Sequence, residues 1–305
     1  MDYNVITVLG PTAVGKTKLA AQIAYHYNGE IISADSRQVY KGMNLGTGKD
    51  YDDYIIDDIK IPCYLIDIIE PTEEFNVFLF KELFNKAVSE IAEKVKLPVL
   101  CGGTGMYLSV VIQNYKLNQK DIKSKEELEK LSFEELKSLF LLLNKSPHNT
   151  TDLLDRNRTI TALMILQSGT ENYTDTSAIK SFTIGINPGR EEIKRRISSR
   201  LKIRLESGMI EEVKLLMDNG IDFERMVSFG LEYKYIAYYL TGKLSFNDMF
   251  QKLNSAIHSF AKKQMTWFRK MEKDGIKINW IDSNDFIRAK TLIESAGFSS
   301  LQIFK

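Results

Sequence analysis

Apolar positions in the first hundred residues fall into short unbroken runs separated by stretches of helical spacing. Val5, Ile6, Thr7, Val8 and Leu9 form the first run, and the absence of charge on either face predicts a fully buried strand. From Lys18 to Tyr27 the apolar residues Leu19, Ala20, Ile23, Ala24 and Tyr27 recur at the spacing of one helix face. Glu30-Ile-Ile-Ser-Ala34 is a second strand-like run, and Pro62 to Ile69 is a third. Pro71 then breaks the chain, and helical spacing resumes from about Asn76 to Lys94. Leu97-Pro-Val-Leu-Cys101 is a further buried strand, running into Gly102-Gly103-Thr104-Gly105. Strands alternating with helices predict a parallel sheet flanked by helices, with ligands at the strands' C-terminal ends.

After about Tyr115 the pattern changes. Lys116 to Asn149 is Lys/Glu-rich with helical spacing and breaks at Ser146-Pro147, which predicts a small helical insertion. From Asp152 the chain reads as almost wholly helical until Ile278-Asn-Trp-Ile281, a late strand, and Gly169 to Ser177 has the polarity of a loop. The expected organisation is an α/β core over 1–115, an insertion over 116–150, and a mostly helical remainder of the core over 151–305. No internal repeat or low-complexity tract interrupts it.

Composition narrows the function classes. The 305 residues can bury a full α/β core, and the net charge of +1 requires any nucleic-acid surface to come from local clustering. Cys63 and Cys101 both sit in apolar runs, as expected of buried thiols in a reducing compartment. His26, His148 and His258 are scattered without metal-ligand spacing. With no signal-type N-terminus and no apolar stretch of membrane-spanning length, a cytoplasmic monomer free of membrane contact is expected.

The chemistry is concentrated at Gly10-Pro11-Thr12-Ala13-Val14-Gly15-Lys16-Thr17, which fits G-x-x-x-x-G-K-[ST] between a strand and a helix. Such a P-loop turns backbone N–H groups and a helix N-terminus toward phosphate oxygens. Lys16 would reach the outer phosphate and the Thr17 hydroxyl would hold Mg²⁺. A polyphosphate or pyrophosphate is the expected ligand.

Asp35 and Thr104 end two further strands on the same sheet edge. Asp35 reads either as a turn or helix cap or as a general base or indirect Mg²⁺ ligand. Thr104 reads as a helix N-cap or as a residue close to the ligand, with Gly102 and Gly103 permitting backbone approach. Asp67, at the end of Tyr64-Leu-Ile-Asp67, reads mainly as structural, with a metal role as the alternative. Basic residues cluster twice: Lys194, Arg195, Arg196, Arg200, Lys202 and Arg204, with no acid from Ile193 to Leu205, and Lys262, Lys263, Arg269 and Lys270 around Trp267 and Phe268. Each is either a solvated helix face or, given the adjacent aromatics of the second, an RNA-contacting surface.

Taken together, GPTAVGKTKLA, EIISADSRQVYKGMNLGTGK, PCYLIDIIEP, CGGTGMYL, the helix around Arg190 to Gly208, AKKQMTWFR and INWIDS resemble the tRNA dimethylallyltransferases over nearly the whole chain. The second-strand signature and AKKQ-x-TWFR are more specific than the P-loop. The resemblance implies a P-loop NTPase-like fold without NTP hydrolysis. It also implies transfer of a dimethylallyl group from dimethylallyl diphosphate to N6 of the adenosine just 3′ of the anticodon. Carried over by motif, Asp35 resembles the base that takes the N6 proton and Thr104 the threonine near the leaving diphosphate. Gly10 to Thr17 would hold the diphosphate with Mg²⁺ at Thr17. The tRNA would meet Asp35, Ser36, Arg37, Gln38, Arg158, Arg196, Arg200, Lys262, Lys263, Gln264 and the insertion.

Some positions depart from the pattern. Phe229 stands where many members have Arg before the glycine of a G-Y-[KR] segment, Thr161 and Met164 replace an Arg and a Glu, and His258 replaces another Arg. Three other functions share parts of the pattern: a small-molecule kinase using ATP at the P-loop, prenyl transfer to free adenine nucleotides, and an RNA-binding protein with a vestigial loop. Neither the basic-aromatic C-terminal region nor the lack of an Arg-rich lid suits the kinase.

Overall fold

The computed structural model describes residues 3–114, 127–143, 156, 159–160, 163 and 179–299. The chain divides into two compact units, one made of residues 1–113 and 179–305 and the other of residues 114–178.

The first unit is built on a six-stranded parallel sheet. Its strands are β1 (Val5–Leu9), β2 (Gly29–Ala34), β5 (Cys63–Tyr64), β6 (Leu97–Gly102), β7 (Ser181–Ile186) and β8 (Ile278–Ile281), in the order β5-β2-β6-β1-β7-β8. A small antiparallel hairpin, β3 (Ile55–Ile56) and β4 (Ile59–Lys60), lies outside it. Side chains alternate between the two faces of each strand. Ile6, Val8, Val99, Cys101, Ile184 and Ile186 enter one apolar cluster, while Val5, Leu9 and Leu100 enter the other. Both faces are buried, so the strands carry the unbroken apolar runs seen in the sequence.

Helices α1 (Lys16–His26), α2 (Val77–Glu93) and α3 (Gly105–Ile112) connect the early strands. Asn76 caps α2, its side-chain oxygen accepting from the N–H groups of Phe78 and Leu79 at 3.0 Å each. After β7 come α5 (Arg190–Glu206), α6 (Met209–Asp218), α7 (Phe223–Ser228), α8 (Leu231–Leu240) and the 28-residue α9 (Phe246–Lys273), before β8 and α10 (Phe286–Ser295).

Two expectations need correction. Ser181–Ile186, inside the stretch read as helical, is a central strand paired with β1 from Val5↔Ser181 to Leu9↔Gly185. Its single apolar run is as short as that of a helix turn, and only the partners on either side define it. The run from Pro62 to Ile69 supplies only a two-residue strand, because Leu65 and Asp67 adopt left-handed φ of 63° and 53° and turn the chain away.

In the second unit, α4 (Phe133–Leu143) places Leu136 and Phe140 with Leu128, Ile160 and Leu163 in a small apolar cluster of their own. Because Ile160 and Leu163 belong to that cluster, the unit continues past residue 150, where composition ended it.

Candidate active site

The C-terminal ends of β1, β2 and β6 open into one cavity of about 520 Å³ in the first unit. Strand order produces this convergence: β6 lies between β2 and β1, so the loops that follow all three reach the same edge.

The loop after β1 forms one wall through Thr12, Ala13, Gly15, Lys16 and Thr17. Gly15 has φ of 81° at the start of α1, and Ala13 holds φ of 66°, a conformation a non-glycine residue adopts only at a cost. Gly10 packs so tightly beneath that an added Cβ would lie 2.7 Å from the Ile186 carbonyl oxygen. The Lys16 ammonium donates to the Pro11 carbonyl at 2.7 Å, and burial lowers its pKa to about 8 against an ordinary 10.5. An anion in the cavity would favour the charged form.

The opposite wall carries Asp35 and Thr104. Asp35 Oδ1 accepts from the backbone N–H groups of Arg37 at 2.9 Å and Gln38 at 3.4 Å, a turn that fixes the carboxylate at the end of β2. Among the described residues Oδ2 receives no hydrogen bond. The Thr104 hydroxyl accepts from Ser36 N–H at 3.3 Å, tying the loop after β6 to the residue beside Asp35. Gln38 accepts from Ser33 Oγ at 3.0 Å and donates to the Gly48 carbonyl at 3.0 Å, so its side chain builds the floor. Arg37 and Ser36 line the same space.

Helix α5 supplies cations to this cavity. Arg200 donates to the Thr12 hydroxyl on the P-loop. One turn on, Arg204 is buried and donates to both Asp50 oxygens at 2.8 and 3.1 Å. Burial, with Arg204 nearby, lowers the Arg200 pKa to about 10, which leaves it charged at neutral pH. Glu232 shares the space, and burial raises its carboxyl against the opposing pull of Arg200 and Arg204. Phe229, Leu231, Tyr233, Ile257 and Phe260 add an apolar wall.

The P-loop, Asp35, Ser36, Arg37, Gln38 and Thr104 therefore meet in one place, as the sequence indicates. Arg200 lines the cavity and meets the P-loop through the Thr12 hydroxyl. Gln264 is buried, with both ends of its amide engaged within the protein. Arg196 lies outside the cavity lining and donates to Glu192 at 2.6 Å. Lys262 and Lys263 are exposed, and among the described residues their ammonium groups have no ion-pair partner. Arg158, Thr161 and Met164 lie outside the described residues. Asp67 accepts from Lys49 and from the Tyr51 hydroxyl, which makes it structural. Trp267 donates to Ser109 Oγ at 2.7 Å and packs against Gly105, so its ring is a packing element. Asp50 and Glu232 are not signalled by the sequence, and Arg204, one of the clustered basic residues, turns inward to Asp50; the four-residue spacing of Arg196, Arg200 and Arg204 was the available signal for that inward face.

A family model described as IPP transferase matches residues 38–271. The chain belongs to the IPP transferase family. It is 49% identical to the tRNA dimethylallyltransferase 2 of Pelobacter propionicus over 92% of this chain and 90% of that protein. It is 45% identical to the tRNA dimethylallyltransferase 1 of Geotalea daltonii over 99% and 97%. Among solved structures of the IPP transferase fold, the full-length tRNA isopentenylpyrophosphate transferase of Bacillus halodurans superposes with a TM-score of 0.69 at 32% identity, covering 97% of this chain and 95% of that one. A eukaryotic dimethylallyltransferase acting on tRNA superposes with a TM-score of 0.76 at 23% identity, over 99% and 81%, and shares the fold. Among the described residues no helix is long and apolar enough to cross a membrane.

Proposed function

We propose that this protein transfers a dimethylallyl group from dimethylallyl diphosphate to N6 of the adenosine 3′-adjacent to the anticodon of tRNA. The observation that carries the reading is the single cavity in which a P-loop faces a carboxylate, Asp35, with an open oxygen. A diphosphate at Lys16, Arg200 and the α1 N-terminus would present its allylic carbon toward Asp35 along the apolar wall. The N6–carbon bond forms as the carbon–oxygen bond breaks, the diphosphate leaves with the electron pair, and Asp35 takes the N6 proton. An exocyclic amine needs that help because its lone pair is delocalised into the ring. Lys16 and Arg200 stabilise the charge that develops on the leaving oxygens.

Magnesium fits this site as a companion of the diphosphate. Thr17 lines the cavity beside Lys16, and among the described residues no cluster of three His, Cys, Asp or Glu could hold a metal alone. Mg²⁺ favours such a setting, with one hydroxyl, phosphate oxygens and retained waters as ligands. When bound, it neutralises charge on the departing diphosphate.

The target adenosine must leave its stack to reach Asp35, Ser36, Arg37 and Gln38. Lys262, Lys263 and Arg196, with residues of the second unit, would hold the anticodon stem-loop through phosphates. The two cysteines are free, which suits the cytoplasm.

Incubation with labelled dimethylallyl diphosphate and either total tRNA or AMP tests the reading. Label in tRNA alone is expected; label in AMP alone, or ATP turnover without prenyl transfer, would replace it. Asp35→Asn keeps the shape and loses the proton acceptor. Single-turnover transfer should fall about 10²–10⁴-fold with both substrates still bound, and a rate within a few-fold of wild type would remove Asp35 as the base.

A further inference from the structure

Helix α9 sets one polar side chain against two of the loops that line the cavity. Gln264 is 7% exposed on a buried face otherwise made of Met249, Leu253, Ile257, Ala261, Phe268 and Met271. A primary amide on such a face requires partners for both ends, since a buried polar group left without one keeps its full desolvation penalty. It has them on two different catalytic loops. Its Oε1 accepts from Thr12 N–H on the P-loop at 2.9 Å, and its Nε2 donates to the Gly103 carbonyl at 2.8 Å. A Cβ at residue 103 would lie 2.5 Å from that same Nε2, so glycine there leaves the amide its place.

The two loops carry opposite halves of the reaction. Thr12 belongs to the diphosphate side and is also gripped through its hydroxyl by Arg200. Gly103 precedes Thr104, whose backbone N–H donates to the Ala34 carbonyl at 3.4 Å and whose hydroxyl accepts from Ser36 N–H at 3.3 Å. Ala34 and Ser36 flank Asp35. A continuous chain of hydrogen bonds and peptide links therefore leads from the P-loop through Gln264 to the base.

We propose that Gln264 is a positioning residue that sets the separation between the leaving diphosphate and Asp35. The inference rests on the transferase reading above. Gln264 touches neither substrate in this role. It ties two loops that are far apart in the chain to one helix, so that donor carbon and N6 meet at attack distance. Hydrophobic burial of α9 does not need the amide, because a leucine of similar size would satisfy the apolar face. What the leucine would lose is the tie.

The experiment compares wild type, Gln264→Leu and Gln264→Glu in single-turnover prenyl transfer to tRNA, alongside binding of inorganic diphosphate and thermal unfolding. Gln264→Leu should slow transfer by about 10²-fold, the scale of a small misplacement of reacting groups. Its diphosphate affinity should stay within about threefold, because Lys16 and Arg200 remain. Gln264→Glu retains an acceptor for Thr12 N–H and regains a donor toward Gly103 only when its carboxyl is protonated. Its rate relative to wild type should therefore climb as pH falls, which a purely packing role would not produce. Transfer by Gln264→Leu within threefold of wild type overturns the proposal, as does a rate that falls only with the folded fraction. If that variant does not fold, a Gln264→Glu ratio flat in pH overturns it instead. Wild-type protein that labels no tRNA would sink the transferase reading; wild type and variants that label it equally would sink the tie alone.

Discussion

Two stretches of this chain cluster cations and do different things with them. In α5, Lys194 and Arg195 fold back on Glu191 and Glu192 at 2.9 and 2.7 Å, while Arg200 and Arg204 point inward to Thr12 and Asp50. In α9, Lys262 and Lys263 face solvent on the side opposite the buried stripe. Both stretches are strongly basic, and the partners available to them differ. A count of basic residues therefore says little about ligand contact; the helix phase at which each one falls says much more. Arg200 lies four residues before Arg204, so both fall on one face, and that face meets the sheet edge.

The strongest way to break this contrast is to remove its inward cation. Arg200→Ala should weaken inorganic diphosphate binding by roughly 10–100-fold, the value of a charge-assisted hydrogen bond, while tRNA affinity changes little. Isothermal titration with each ligand separates the two, and a variant that loses tRNA but keeps diphosphate would return Arg200 to the RNA surface.

The outward lysines should give the mirror image with a smaller effect per charge. Lys262→Glu/Lys263→Glu should weaken anticodon stem-loop binding and reduce its log–log salt slope by somewhat under one unit for each phosphate no longer neutralised. Diphosphate affinity should be unchanged. Equal slopes for variant and wild type would make these lysines a solvated face.

Lys16 sharpens the inward side through pH. Its pKa of about 8 in the free protein lies below the ordinary 10.5, so the ammonium is lost as pH rises through about 8. A bound diphosphate favours the charged form and raises that pKa, so binding takes up a proton above about pH 8 and affinity declines as pH climbs further. Titration in two buffers of different ionisation enthalpy detects the uptake, which should be missing in Lys16→Met.

The smallest effect belongs to the cations that face neither ligand. Arg195→Ala removes an exposed pair with Glu192 and should leave the denaturant midpoint within experimental error of wild type. A denaturant midpoint shift beyond that would show the pair to be structural.

How far these features can be read from the chain follows from how local their causes are. The P-loop is legible because strand, glycine turn and helix are adjacent in sequence, and Asp35 and Thr104 because each ends an apolar run. Ser181–Ile186 is hidden because its neighbours in the sheet, Val5–Leu9 and Ile278–Ile281, are distant in the chain. Gln264 stands in a motif next to two lysines, and its inward direction depends on one residue of helix phase. Glu212 was equally silent: its carboxylate accepts from Asn44, Leu45 and Gly46 N–H at 2.7–3.0 Å from a helix far along the chain. The P-loop pattern predicts a phosphate without saying which cations beyond Lys16 would meet it.

The pairing of β1 with β7 also has a consequence for biosynthesis. Val5 leaves the ribosome early, yet its partner Ser181 follows only after the whole of residues 114–178. At roughly 5–20 residues per second, the nascent chain holds one side of its central strand unpaired for many seconds, long after β6 has covered the other. That open edge can template pairing with another chain. The insertion thus imposes a waiting time on the core that hosts it. A shorter insertion would shorten the interval in which the newborn protein is exposed to aggregation.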